Sequence, residues 1–155
     1  ALPRRLAVVC GYGRVGRAVA SALARRGIGS VIVEPDAHAA QAAAEAGHRV
    51  IRGGAENAIV LERALADPVS IVVVAVPDPL VARSVLTTLR ALGPKVRVVG
   101  RTHSTTERSV LLRLGASAVV VGEVELALEM TRLAVRRFGI SGREADALIA
   151  GLRGR

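Results

Sequence analysis

Short runs of Val, Ile and Leu alternate along this chain with longer stretches rich in Ala, Leu and Arg. The short runs are apolar throughout rather than alternating, which is typical of strands buried on both faces of a parallel sheet. They predict six strands, at Leu6–Cys10, Ser30–Glu34, Arg49–Arg52, Ile71–Val76, Val96–Gly100 and Ala118–Val121. The longer stretches have a helical period and predict helices at Arg14–Arg26, Ala37–Ala46, Ala58–Leu65, Pro79–Leu92, Ser104–Leu114 and Glu123–Phe138.

This strict alternation of strand and helix predicts an α/β protein with a Rossmann-like, doubly wound, six-stranded parallel sheet. A last helix is predicted over Arg143–Leu152, because Ser141 and Glu144 have the spacing of a capping box. We therefore expect one domain over residues 5–138 and a C-terminal helical extension over residues 139–155.

Composition narrows the class of protein. A chain of 155 residues with 51% hydrophobic and 23% charged residues can bury a sizeable core, so disorder is excluded. No apolar run reaches the ~18 residues of a membrane span, and the N-terminus lacks the apolar region of a signal peptide. The single cysteine, Cys10, fits a reducing compartment. We expect a soluble cytosolic domain.

The formal net charge of +9 comes mainly from arginine, since Lys95 is the only lysine. The basic residues are scattered along the helices, which indicates coding bias more than a binding motif. With one Phe, one Tyr and no Trp, the chain has few side chains that could stack on bases, so nucleic acid is a poor candidate partner. An anionic membrane surface or a phosphate-bearing ligand fits the charge at least as well.

The first predicted strand runs directly into Gly11-Tyr12-Gly13-Arg14-Val15-Gly16, a G-x-G-x-x-G motif that opens a helix. Gly11 would allow the tight turn, Gly13 would let a phosphate approach the backbone, and Gly16 would let the helix lie close to the sheet. The N-terminus of that helix offers N–H groups and a partial positive charge to an anion.

An acidic residue follows in the expected place. Glu34 ends the second strand, and a carboxylate there accepts hydrogen bonds from ribose hydroxyls and repels a 2′-phosphate. No basic residue follows Glu34 directly, which favours NAD, AMP or ADP over NADP. Taken alone, Glu34 could equally be a solvated carboxylate at a strand end.

Further candidate site residues follow later strands, at the edge where doubly wound sheets bind ligands. They are Gly53, Gly54 and Ala55 after the third strand, Val76 and Pro77 after the fourth, and Arg101 after the fifth. An ordinary turn or a surface salt bridge would explain each of them as well. No metal-ligand spacing, nucleophile elbow or P-loop is present in the sequence, so neither a metal nor an enzymatic activity is predicted.

Five motifs, in order along the chain, resemble the RCK-N domain, also called KTN or TrkA-N, the regulator of potassium conductance. They are Gly11–Gly16, Val33-Glu34-Pro35-Asp36, Val74–Pro79, Val98–His103, and Leu114-Gly115-Ala116 with Val119–Glu123. Within that family they look most like the cytosolic C-terminal domains of Kef-type cation:proton antiporters. Two positions depart from the family pattern: Glu34 stands where many members have Asp, and Gly54 stands where many have Asp. Glu56 is a candidate replacement for the second carboxylate.

The resemblance implies a regulatory nucleotide sensor that gates a linked membrane potassium (monovalent cation):proton antiporter, and not an enzyme. The ligand would be AMP, ADP, ATP or NAD(H), with phosphate at Gly11–Gly16, ribose at Glu34, and Arg101 near the phosphates or base. It also implies a homodimer through Glu123–Phe138 and a transmembrane partner domain, at the cytoplasmic side of the bacterial inner membrane. The alternatives are a subunit of a potassium channel or Trk-type uptake system, or the cofactor domain of an NAD-dependent oxidoreductase.

Overall fold

The computed structural model describes residues 5–93 and 95–153. Its strands are β1 (Leu6–Cys10), β2 (Gly29–Glu34), β3 (Arg49–Arg52), β4 (Ile71–Val74), β5 (Arg97–Thr102) and β6 (Ala118–Val121). Its helices are α1 (Arg14–Arg25), α2 (Ala37–Glu45), α3 (Ala58–Ala64), α4 (Pro79–Leu92), α5 (Thr105–Arg113), α6 (Gly122–Arg136) and α7 (Gly142–Arg153). Within the described residues, no helix is both long and apolar enough to cross a membrane.

All strand pairs are parallel, in the order β3-β2-β1-β4-β5-β6, so the predicted doubly wound sheet is confirmed. The order reverses between β1 and β4. Two strand ends differ from the prediction. β4 ends at Val74, which is its last residue paired with β1. β5 continues to Thr102, because Gly100, Arg101 and Thr102 pair with β6.

The two faces of the sheet are covered unequally. Helices α3, α4 and α5 cover one face, where Val72, Val98 and Val119 are buried. Helices α1 and α2 cover the other face mainly over β1, β2 and β3. On that second face the outer strands carry Val73 and Val99, which are only partly buried, and Val120, which is 43% exposed. We call this incompletely covered part, on β4, β5 and β6, the open half-face.

Helix α6 does not cover the open half-face. It begins at Gly122, directly after the last residue of β6, whereas between two and five residues join every other strand to its following helix. Without connecting residues, the chain cannot reverse to lay α6 back across its own sheet. Instead α6 packs mainly against α7, where Ala145 and Ile149 are buried. The predicted cap of α7 is present, since Glu144 N–H donates to Ser141 Oγ at 3.1 Å.

A bidentate ion pair joins α4 to α5. The Arg83 guanidinium donates to the Glu107 carboxylate at 2.7 and 2.6 Å. These hydrogen bonds hold the pKa of Glu107 below its usual value. The ionised pair therefore stabilises the fold above the pH at which the carboxyl group titrates in the unfolded chain, and this contribution is lost as pH falls through the lower pKa of the folded state.

We expect Glu107→Gln to lower the melting temperature at neutral pH, because the substitution removes the charge that Arg83 binds. The difference from the parent should shrink as the pH falls through the lowered pKa of Glu107 in the folded parent, because the protonated carboxyl group no longer carries the charge that Arg83 binds. Thermal melts of both proteins across this pH range provide the measurement. A difference that stays constant with pH would contradict the linkage.

Candidate functional site

A cleft of about 210 Å³ opens at the carboxyl edge of the sheet, beside the point where the strand order reverses. This is where doubly wound sheets bind their ligands. The cleft, called the rim cleft below, is lined by Cys10, Gly11, Val33, Pro35, Gly54, Ala55, Glu56, Val76, Asp78 and Val81. Residues predicted separately from the ends of the first four strands thus meet around one cavity.

The three glycines of the G-x-G-x-x-G motif differ in what the fold requires of them. Gly11 has φ +98°, and a Cβ there would lie 2.7 Å from Val76 Cγ1. A Cβ at Gly16 would strike the carbonyl oxygen of Gly11, so α1 can pack this closely only with glycine. Gly13 has ordinary extended backbone, and nothing lies within 4 Å of where its Cβ would be. The fold itself therefore gives no reason for glycine at position 13.

The N-terminus of α1 is open to a ligand. Side chains cap α2, α3, α4 and α5, whereas the N-cap of α1 is Gly13 and makes no side-chain hydrogen bond. The first N–H groups of α1 and the positive end of its dipole thus remain available to an anion. Arg14 and Arg17 border a second cleft there, of about 340 Å³, together with Tyr12 and His38. The charge of this region suits phosphate.

Glu34 is buried rather than solvated, with 7% of its surface exposed. Its Oε1 accepts from the N–H of Tyr12 at 2.7 Å and its Oε2 from the N–H of Asp36 at 2.8 Å. The carboxylate thereby ties the glycine turn to the end of β2, and each oxygen retains acceptor capacity for a hydroxyl group. Arg52 donates to the carbonyl of Pro35 at 3.0 Å. A guanidinium group therefore lies beside the turn between β2 and α2, although no basic residue follows Glu34 directly in the sequence.

A second carboxylate lies in the rim cleft. The Glu56 carboxylate packs so closely against Gly54 that it occupies the space a side chain at position 54 would take. Sequence reasoning raised Glu56 only as a substitute for a missing carboxylate, and its position beside Gly54 is evident only in the structure. Burial, and to a smaller extent the charge of Glu56, raises the pKa of Cys10 to about 12. Cys10 is therefore a neutral thiol in the cleft wall rather than a nucleophile.

Arg101 and Val15 lie at a different cavity, of about 220 Å³, on the open half-face. The Arg101 guanidinium donates to the carbonyl of Ala75 at 3.1 Å, at the end of β4. Nearby, His103 Nδ1 lies 2.9 Å from Glu123 Oε1. A backbone N–H, His103 and the charge of Arg101 lower the pKa of Glu123. Contact between Arg101 and a bound phosphate stays a prediction.

Three other predicted residues, Asp36, Gly53 and Pro77, are not among those that line the rim cleft. Asp36 caps α2 by accepting from the N–H of Ala39 at 2.9 Å. Gly53 has φ +139°, and a Cβ there would lie 2.7 Å from Val60 Cγ2. Pro77 is exposed. Asp78 and Val81 also line the rim cleft. Asp78 lies in the loop after β4 that was predicted to line the site, whereas Val81, in the first turn of α4, was not predicted.

The strand order, the glycine turn and the acidic end of β2 define a nucleotide-binding Rossmann domain. The model of the TrkA-N domain matches residues 7–122, and the chain belongs to this family. It is 28% identical over 127 residues to the putative cation/proton antiporter YbaL of Escherichia coli, covering 82% of this chain and 23% of that protein. It is 24% identical over 138 residues to the glutathione-regulated potassium-efflux protein KefC of Klebsiella pneumoniae, covering 89% and 22%. The chain thus spans about a quarter of the length of these relatives.

Solved structures agree with this assignment. The TrkA-N domain of the inner membrane protein YbaL from E. coli superposes with a TM-score of 0.78 at 28% identity, covering 84% of this chain and 96% of that one. The AMP-bound C-terminal domain of Kef from Shewanella denitrificans gives 0.80 at 21% identity, covering 96% and 90%. The GsuK channel bound to NAD gives 0.73 at 20% identity, covering 83% and 23%. The last two likenesses establish the shared fold.

Matched serine substitutions at two motif glycines test which of them the fold needs. We expect Gly16→Ser to destabilise the domain by about 1–3 kcal/mol, because its Cβ must displace the backbone of Gly11. Gly13→Ser should leave stability unchanged or raise it by a few tenths of a kcal/mol, because serine is a good N-cap and the space is open. Urea unfolding without nucleotide measures both, and equal losses would contradict this division.

Proposed function

We propose that this chain is a regulatory domain that binds an adenine nucleotide and gates a linked cation:proton antiporter at the cytoplasmic side of the inner membrane, without catalysing a reaction. The observation that carries the proposal is the open anion site at the N-terminus of α1. There Gly13 faces empty space, no side chain caps the helix, and the buried carboxylate of Glu34 lies beside it. These three features together suit the phosphate and ribose of a nucleotide.

Each part of a nucleotide has a matching group. Phosphate would lie on the turn of Gly11 to Gly16 with Arg14 close by, and the ribose hydroxyls would bind Glu34. Adenosine would enter the rim cleft between Pro35, Gly54-Ala55 and Val76, where Glu56 would supply a second carboxylate. The charge of Glu34 disfavours a 2′-phosphate, so AMP, ADP, ATP and NAD(H) are preferred to NADP(H). The structural likeness to an AMP-bound Kef domain and an NAD-bound channel is consistent with this choice.

A homodimer would cover two apolar surfaces that this chain leaves open. Along α6, Leu126 and Met130 are each 62% exposed and Leu133 is 57% exposed, at a spacing that puts them on one helix face. The second surface is the open half-face of the sheet, which α6 of the same chain does not cover. We propose that α6 of one protomer packs against its partner, with this half-face as its docking surface.

Gating would follow from a difference in affinity. The nucleotide must bind one arrangement of the two protomers more tightly than the other, since a ligand that binds both equally shifts nothing. Coupling of this kind is typically about 1–3 kcal/mol. Arg101 donates to the carbonyl of Ala75 at the end of β4, and its charge contributes to the lowered pKa of Glu123 in the first turn of α6. This electrostatic influence is the connection that we propose between the nucleotide site and the dimer helix.

A negative charge at position 13 tests the nucleotide site. We expect AMP or NADH at about a hundredfold excess over Kd to raise the melting temperature of the parent by roughly 5–10 °C. Gly13→Asp should fold normally but lose this shift, because the carboxylate fills and charges the phosphate site. Gly142→Asp is the matched control, since Gly142 also has open space around its Cβ but begins α7. Retained binding by Gly13→Asp in calorimetry would refute the placement of the site.

Two charges on α6 test the dimer. We expect Leu126→Glu with Met130→Glu to convert a dimeric parent into a monomer in analytical ultracentrifugation, because charges cannot be buried unpaired in an apolar interface. Ile59→Glu with Leu80→Glu serves as the control, since these exposed side chains lie on α3 and α4. A parent that is monomeric at high concentration, or a control variant that dissociates equally, would rule out this interface.

A further inference from the structure

The amino edge of the sheet, opposite the rim cleft, concentrates basic side chains. In a parallel α/β fold every strand begins, and every helix between strands ends, at this edge. The helix ends bring exposed Arg25, Arg26, Arg63, Arg90 and Arg113 there. Residues at or just before strand starts add exposed Arg5, Arg49, Lys95 and Arg97. We call these nine residues the basic edge.

Few carboxylates oppose this charge. Only Glu45, Glu62 and Asp67 stand at the same edge among the described residues, which leaves the edge a net +6 out of the +9 of the whole sequence. Asp67 is already paired with Arg49 at 3.0 Å. Leu92, at the end of α4, adds an apolar side chain that is 43% exposed. The carboxyl edge has no such excess, because Glu34, Asp36, Glu56 and Asp78 lie there.

Helix dipoles explain only part of the pattern. Arginine in the last turn of a helix offsets the partial negative charge at a helix C-terminus, and Arg90 of α4 donates to the carbonyl of Leu114, the C-cap of the neighbouring α5, at 3.0 Å. The cations at the strand starts, by contrast, do not belong to a helix end. Their position on the same edge indicates a surface that meets an anionic partner.

We propose that the basic edge docks on the anionic phospholipid headgroups of a membrane. This rests on the proposed function, since a domain linked to a membrane transporter lies beside a bilayer. Exposed arginines and lysines are attracted to an anionic leaflet, and Leu92 can enter the headgroup layer among them. In this orientation the rim cleft, at the opposite edge, faces away from the membrane and remains accessible to nucleotide.

Vesicle co-sedimentation of the chain tests the proposal. We expect binding to vesicles of phosphatidylcholine mixed with phosphatidylglycerol at low salt, release by about 0.5 M salt, and no binding to phosphatidylcholine alone. Each cation near an anionic surface strengthens binding about fivefold, so neutralising four should weaken it by at least roughly a hundredfold. The edge variant combines Arg25→Gln, Arg26→Gln, Lys95→Gln and Arg97→Gln. The control removes charge elsewhere through Arg108→Gln with Arg143→Gln, which lie off the basic edge and outside α6, and it is compared with an edge variant of equal charge, Arg25→Gln with Arg26→Gln.

Loss of vesicle binding in the edge variants alone would support the proposal. Equal loss in the control and the edge variant of equal charge, or a parent that does not bind anionic vesicles, would overturn it. A parent that binds double-stranded DNA but not vesicles would make the edge a nucleic-acid surface and would also refute it. The melting-temperature shift with AMP, measured on the same proteins, keeps the two proposals apart. If that shift persists without vesicle binding, only the membrane contact fails; if it is absent from the parent, the proposed function fails.

Discussion

Parallel strand pairing is the constraint on which the rest of this structure depends. It places every strand end on one edge of the sheet and every intervening helix end on the other. Glycines, carboxylates and uncapped N–H groups thereby gather at the carboxyl edge, while basic residues from helix ends and strand starts gather at the amino edge. The two edges acquire opposite characters from residues that are far apart in sequence. These opposite characters underlie our proposals that a nucleotide binds at one edge and that the other edge meets an anionic surface.

Within the candidate site, some features serve folding and others have no role in folding. Gly11 and Gly16 are required because a side chain at either would strike neighbouring atoms, and Glu34 holds the glycine turn against β2. Gly13 and the bare N-terminus of α1 leave a favourable interaction unmade, since a serine or aspartate there would cap the helix. The absence of a capping side chain is explained if a bound anion accepts hydrogen bonds from the first N–H groups of α1.

The C-terminal helices leave two apolar surfaces uncovered, because no residues connect β6 to α6. Because α6 follows β6 without a loop, it leaves the sheet and packs on α7, so both its apolar face and the open half-face remain unfilled. A fold that ended with a longer connection could cover that half-face internally. Here the absence of connecting residues leaves the half-face uncovered by its own chain, and we propose that a second subunit covers it. Arg101 and Glu123 lie at this junction, between the carboxyl edge of the sheet and α6.

Sequence alone determined the six strands, the helices between them and the glycine turn with its acidic partner, because these depend on local periodicity and spacing. It also determined the family, since five motifs occur in order. It could not show that Glu34 is buried and bonded to Tyr12, that Glu56 occupies the space beside Gly54, or that Arg101 is held by Ala75. The scattered arginines likewise looked like coding bias until the fold brought their positions to one edge. Such properties arise from contacts between distant segments, and only the tertiary structure decides which segments meet.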